Sequence, residues 1–164
     1  MERNIISTDS DSYFQDDVHS LLSSRSGTSE KGRRSATAST PVTNTSNLLL
    51  KSLPAPLFEA LRPSLRSVFL PKDRFLYLQD DRLDCVYFPE TAVVSELRTL
   101  DDGRMVEVAI TGREGAAGLS ALFCSSRVAN CTQVSQAGSA IKVDRAELAR
   151  LTRVHSGALL PIME

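Results

Sequence analysis

Three glycines recur every third residue at Gly112, Gly115 and Gly118, with Arg113 and Glu114 between the first two. Glycine accepts backbone dihedrals that other residues avoid, so this spacing lets the chain bend closely and point backbone N–H groups at whatever occupies the loop. Tight turns explain the same glycines without a ligand. Other chemistries find less support. Ser120 and Ser125 have no His base nearby, and Asp80, Asp81 and Asp84 read more simply as the polar edge of a hairpin than as an acid/base pair. Gly112 to Gly118 has the wrong spacing for a P-loop and lacks the Lys-Ser or Lys-Thr that follows one, and there is no dinucleotide fingerprint. No enzyme is expected. The three cysteines, Cys85, Cys124 and Cys131, form no CxxC pair, so free thiols in a reducing compartment are the default, with Cys85 a small core hydrophobe. A redox pair of Cys124 and Cys131 requires the loop between them to bring them together. His19 and His155 lie far apart with no ligand pattern around them, and no metal site is expected.

The elements that must hold the glycine run are strands. Val93 to Leu100 and Met105 to Ile110 alternate with period two, and Asp102-Gly103 between them supplies the positive dihedrals of a two-residue hairpin turn. Further strands are predicted at Leu65 to Leu70, Arg74 to Leu78, Asp84 to Phe88, Thr132 to Gln136 and Ala140 to Val143. Turns at Pro71 to Asp73, Gln79 to Asp81 and Asp101 to Gly103 separate strands too closely for helical crossovers, which favours an antiparallel roll or barrel. Asn47 suits the N-cap of a helix through Lys51; Pro54 or Pro56 opens a second that reaches Leu61, where Pro63 stops it. Asp144 with Glu147 forms a capping box for a last helix through Arg153.

One small domain with a tail fits the 164 residues. Residues 1–46 contain 17 Ser or Thr and no sustained apolar period, so they are expected to form a disordered leader. The net charge of −1 gives no general attraction to nucleic acid, and Arg25, Lys31, Arg33 and Arg34 are too diluted to make a DNA-binding arm. Acidic residues interrupt the N-terminal region where a secretory signal needs an apolar core, and no later run approaches a membrane span. A cytoplasmic protein without membrane contact is expected.

The string from Val86-Tyr87-Phe88-Pro89, through Val106 to Ile110, into Gly112-Arg113-Glu114-Gly115 and Gly118-Leu119-Ser120 resembles the sensor domain of the Crp/Fnr superfamily of bacterial transcription regulators. Asn47-Leu48-Leu49, Leu53-Pro54, Leu61-Arg62-Pro63 and the helix after Asp144 extend the resemblance over roughly two thirds of the chain. It implies a mainly β, jelly-roll-like antiparallel β-roll with short flanking helices over residues 47–155, the cyclic-nucleotide-binding fold. Residues 156–164 would begin a dimerisation helix that is cut short. In a full-length form such a regulator is a homodimer, and it contacts DNA only through a C-terminal helix-turn-helix domain, for which this sequence leaves no room. A leader without cysteine does not fit the iron–sulfur members.

The resemblance also supplies the effector-binding candidates: Gly112, Glu114, Gly115, Gly118, Leu119, Ser120, Arg127 and Asn130. Cyclic-nucleotide-binding members use a Gly-Glu pair for the ribose, a helix N-terminus for the phosphate and an Arg followed by Ser or Thr. Here Gly118 is followed by Leu119, Val128 follows Arg127, and Asn130 stands where the Arg is expected. Glu114 and Arg127 are the only substitutes, from shifted positions. The expectation is therefore an unidentified small-molecule effector and no bound cofactor, with cyclic nucleotide disfavoured. The rival is a stand-alone interaction module that docks a partner through Leu159, Leu160, Ile162 and Met163.

Overall fold

The computed structural model describes residues 40–42, 44–119 and 127–154. These belong to one compact unit, Ala36–Glu164. Expectations about residues 1–39, Ser120, Cys124, Ser125, His155 and the segment 156–164 lie outside the described residues.

Eight strands among the described residues form two antiparallel sheets. Strands β1 (Thr40–Pro41), β2 (Arg66–Leu70), β4 (Cys85–Pro89) and β8 (Gly138–Asp144) make the first, in the order β1-β2-β8-β4. The second has the order β3-β7-β5-β6, from β3 (Phe75–Tyr77), β5 (Val93–Thr99), β6 (Met105–Thr111) and β7 (Cys131–Gln136). Helices α1 (Leu48–Ser52) and α2 (Ala55–Leu61) precede the roll, a 3-10 turn (Arg62–Ser64) leads into β2, and α3 (Arg145–Val154) follows β8. The mainly β, antiparallel β-roll with short flanking helices is thus the observed fold. Phe88, Ile141, Val86, Val94, Val134 and Val143 are among its fully buried side chains, with Leu57 and Leu61 of α2 and Leu148 and Leu151 of α3 packed into the same core.

Several local expectations change. Thr40–Pro41 pairs with Ser67 and Arg66, Val42 is buried, and Thr45 Oγ1 donates to Glu90 Oε1 at 3.0 Å. Residues 40–42 and 44–46, polar enough to read as leader, thus supply pairing and contacts to the roll. The β5–β6 hairpin has a three-residue loop instead of a two-residue turn: Leu100 N donates to Arg104 O at 2.8 Å and Gly103 N to Leu100 O at 2.9 Å. Gly103 has φ +85°, while Asp102 keeps a negative φ, as in a type I turn closed by a glycine bulge. The capping box of Asp144 and Glu147 is replaced as well. Asp144 is still a strand residue opposite Cys85, and the Glu147 carboxylate accepts from Arg150 Nε at 3.0 Å and Nη2 at 2.8 Å.

Candidate functional site

The glycine run leaves β6 and is stapled to the start of the fold. Asn47 is fully buried; its Oδ1 accepts from Leu50 N at 2.9 Å and caps α1, while its Nδ2 donates to Pro89 O at 2.7 Å and to Gly115 O at 3.0 Å. Leu48 N donates to Arg113 O at 2.7 Å. Within the run, Gly112 N donates to Glu114 Oε1 at 2.7 Å and Gly115 N to Gly112 O at 3.2 Å. Those N–H groups are spent inside the turn, and that first bond holds the Glu114 carboxyl below its ordinary range.

Beyond the turn, Ala117 and Tyr87 exchange both backbone hydrogen bonds, at 2.8 and 3.1 Å. Gly118 has φ +94°, and a Cβ there would stand 2.9 Å from Leu83 Cδ1 and 3.0 Å from Tyr77 Oη. This glycine is required both by its backbone and by the Tyr77 ring laid against it. Leu119 packs partly buried on the core. The chain returns at Arg127, which bridges to Arg82 and donates from Nη1 to Asp80 O at 2.7 Å. Asn130 Nδ2 then donates to Glu96 Oε2 at a long 3.4 Å.

The candidates therefore fall into three places. Gly112, Glu114 and Gly115 form a self-bonded turn on α1. Gly118 and Arg127 meet the end of β3 and the connection from β3 to β4, and Asn130 lies against β5. Ser120 is outside the described residues. The connection between β3 and β4, which lie in different sheets, borders a cleft of about 350 Å³ lined by Leu76, Tyr77, Asp81, Arg82, Asp84, Cys85 and Tyr87. Tyr77 Oη donates to Cys85 O at 2.7 Å, and the Tyr77 and Tyr87 rings meet at 5.9 Å. Burial pushes the Tyr77 phenol well above its usual value, with Tyr87 adding to it. Cys85 is half-buried on the wall of this cleft instead of sealed in the core, and burial outweighs Lys142 in pushing its thiol up. Cys131 is buried on β7.

Sequence reasoning missed Tyr77, Tyr87, Glu96 and the backbone-holding role of Asn47. Tyr77 carries no motif, Tyr87 stands in the family string with no role attached to it, and Glu96 reads as one more polar residue of an alternating strand.

No protein-family model matches the sequence, and no curated protein matches it. Solved structures do match. The N-terminal domain of a transcriptional regulator from Streptomyces coelicolor A3(2) is 21% identical, with a TM-score of 0.57 over 70% of this chain and 80% of that one. The catabolite activator protein of Thermus thermophilus is 16% identical, with a TM-score of 0.58 over 70% and 54%. A putative cyclic nucleotide binding protein from Ruegeria pomeroyi is 16% identical, with a TM-score of 0.61 over 71% and 51%. This chain spans about half the length of the last two. The neighbours are Crp/Fnr-type regulators and cyclic-nucleotide-binding domains, and at 16 to 21% identity the likeness establishes that the chain has their fold, the cyclic-nucleotide-binding β-roll.

Proposed function

We propose that this chain is the effector-receiving part of a Crp/Fnr-type transcription regulator, and that its effector is a small molecule other than a cyclic nucleotide. In the full-length form the partners would be a second copy and, through a C-terminal helix-turn-helix domain, DNA. One observation carries the ligand half of this reading: the groups that would meet a cyclic nucleotide are used internally. Leu119 packs on the core, Glu114 accepts from Gly112 N, and the Arg127 guanidinium donates to Asp80 O. That contact ties the guanidinium to the β3–β4 connection, and a phosphate bound where Asn130 stands would meet a neutral partner. Each charge-assisted hydrogen bond contributes about 1.5–3 kcal/mol, so losing two weakens affinity by a factor of hundreds or more. The regulator half is supported by the fold of its neighbours. Among the described residues no helix is long and apolar enough to cross a membrane.

Two measurements test the reading. Residues 1–164 fused ahead of a heterologous dimeric helix-turn-helix reader should give a reporter output that changes with cell extract. A flat output across growth conditions would remove the sensor reading and favour an interaction module. Calorimetry should show no micromolar binding of cyclic AMP or cyclic GMP. A micromolar Kd abolished by Arg127→Ala would show that Arg127 leaves Asp80 to hold the phosphate, and would overturn the ligand half.

A further inference from the structure

The inner face of the second sheet changes character along β5. Val94 lies opposite Val134 in register, and both are buried in the core. Two residues on, and therefore on the same face, Glu96 lies opposite Thr132 on one side and Ala109 on the other. Two further on, exposed Arg98 lies opposite Val106. Half-buried Glu96 thus stands where this face leaves the core, with Val94 behind it and Ala109 and Val106 beside it.

The carboxylate is poorly matched there. Among the described residues it accepts one hydrogen bond, the 3.4 Å contact from Asn130 Nδ2, and has no ion pair within 4.0 Å; Arg98 does not close on it. An ionised carboxylate offers about four acceptor sites, and partial burial removes water that would fill them. Asn130 immediately precedes β7, on the return from the glycine run, so Glu96 faces the part of the roll where the effector reading places the ligand.

We propose that Glu96 is the recognition group of the effector site and that the effector carries a cationic nitrogen, an ammonium or guanidinium, on an apolar body. This rests on the effector-receiving reading of the roll and names its ligand class. A phosphate is repelled by the unpaired carboxylate, and a neutral ligand leaves its charge unmatched. A cation completes it through charge-assisted hydrogen bonds, strengthened by the reduced dielectric of a half-buried site. Asn130 stands beside the carboxylate and offers its own carboxamide oxygen as a further acceptor. Val106 and Ala109 on the same face supply the apolar contact.

The test uses the full chain, with hexylammonium as probe and hexanoate as the charge-reversed control. Calorimetry should detect saturable hexylammonium binding and none of hexanoate. Glu96→Gln, which keeps the size of the side chain, should weaken hexylammonium at least tenfold at an unchanged thermal midpoint. Glu96→Asp, which keeps the charge but shortens its reach, should weaken it less and serves if the glutamine variant fails to fold. Equal binding of probe and control, an unchanged affinity in Glu96→Gln, or no hexylammonium binding up to about 10 mM, a concentration far above the dissociation constant a ligand of this size can reach, would overturn the proposal. A fusion that responds to extract equally well with Glu96→Gln would remove the cation inference and keep the sensor reading. A flat fusion output with Glu96-dependent hexylammonium binding would do the reverse.

Discussion

Asn47 shows how much one side chain can hold. Its capping role is legible in the sequence, because Asn ahead of Leu48-Leu49-Leu50 is a helix start. Its two Nδ2 bonds are not, since they reach residues 42 and 68 positions away. Asn47→Ala removes the cap and strands two buried carbonyls, and should cost about 2–4 kcal/mol in denaturant unfolding. Asn47→Asp keeps the cap but sets a carboxylate against those carbonyls, so its folded pKa should be raised. The loss should then be larger at neutral pH than below the carboxyl's unfolded pKa, where it is protonated in both states. The glycines separate in the same way. Gly118→Ala meets both a positive φ and the Tyr77–Leu83 contact and should cost about 1–3 kcal/mol. At Gly112 the nearest atoms belong to the flexible Glu114 carboxylate, and alanine should cost clearly less. Sequence spacing made these glycines look alike, and only tertiary contact distinguishes them. Tyr77 adds a pH signature. Its phenol is held protonated above the ordinary value of 10.0, so its contribution is complete below that pH and is lost as the unfolded state ionises above it. Tyr77→Phe should flatten the alkaline fall in thermal midpoint, at a cost of about 1 kcal/mol at neutral pH for the hydrogen bond to Cys85 O.

At the scale of elements, strands were legible wherever alternation was strong. β4 and β5 fall within a residue or so of their expected ends because Cys85 to Pro89 and Val93 to Thr99 carry both periodicity and turn signals at their borders. The details that failed are those that backbone pairing decides. The capping box lost to a strand that continues through Asp144, and the two-residue turn lost to a three-residue loop whose only positive φ is at Gly103. β6 is an edge strand whose apolar residues stay exposed, with Val106 at 43%, Val108 at 51% and Ile110 at 61%, a combination that invites edge pairing. The register of β5 on β6 passes from Glu96 opposite Ala109 to Leu97 opposite Glu107, which leaves Val108 as a bulge. A bulge bends the edge and limits such pairing. Because Val108 is exposed and unpaired in the ladder, Val108→Lys should change unfolding stability by no more than about 0.5 kcal/mol. It should also reduce light scattering on concentration; an unchanged scattering curve would show that this edge is not the adhesive surface.

The whole roll depends on pairings that local sequence cannot announce. β8 sits between β2 and β4, and β7 between β3 and β5, so each sheet closes through a strand from late in the chain. Recognising the motif string gave this architecture when propensity alone stopped at a roll or barrel. The same string gave no warning that the roll begins before Asn47, because residues 40–46 are Thr, Pro, Val, Asn and Ser, a loop composition that works here only through its partners. Val42 is buried, Thr45 Oγ1 and Ser46 N both donate to Glu90 Oε1, at 3.0 and 2.8 Å, and Thr40–Pro41 adds a strand to the edge of β2. Burying a valine side chain contributes about 1.5–3 kcal/mol and each hydrogen bond to a charged group a similar amount, less where it is solvent-exposed. A chain beginning at Ala36 should therefore be more stable than one beginning at Asn47 by about 2–4 kcal/mol in denaturant unfolding. Glu90→Gln in the longer chain should abolish part of the difference, because it removes the charge that Thr45 and Ser46 serve. Equal midpoints for the two chains would mean that residues 40–46 follow the roll without supporting it, and that its stability starts at the Asn47 cap.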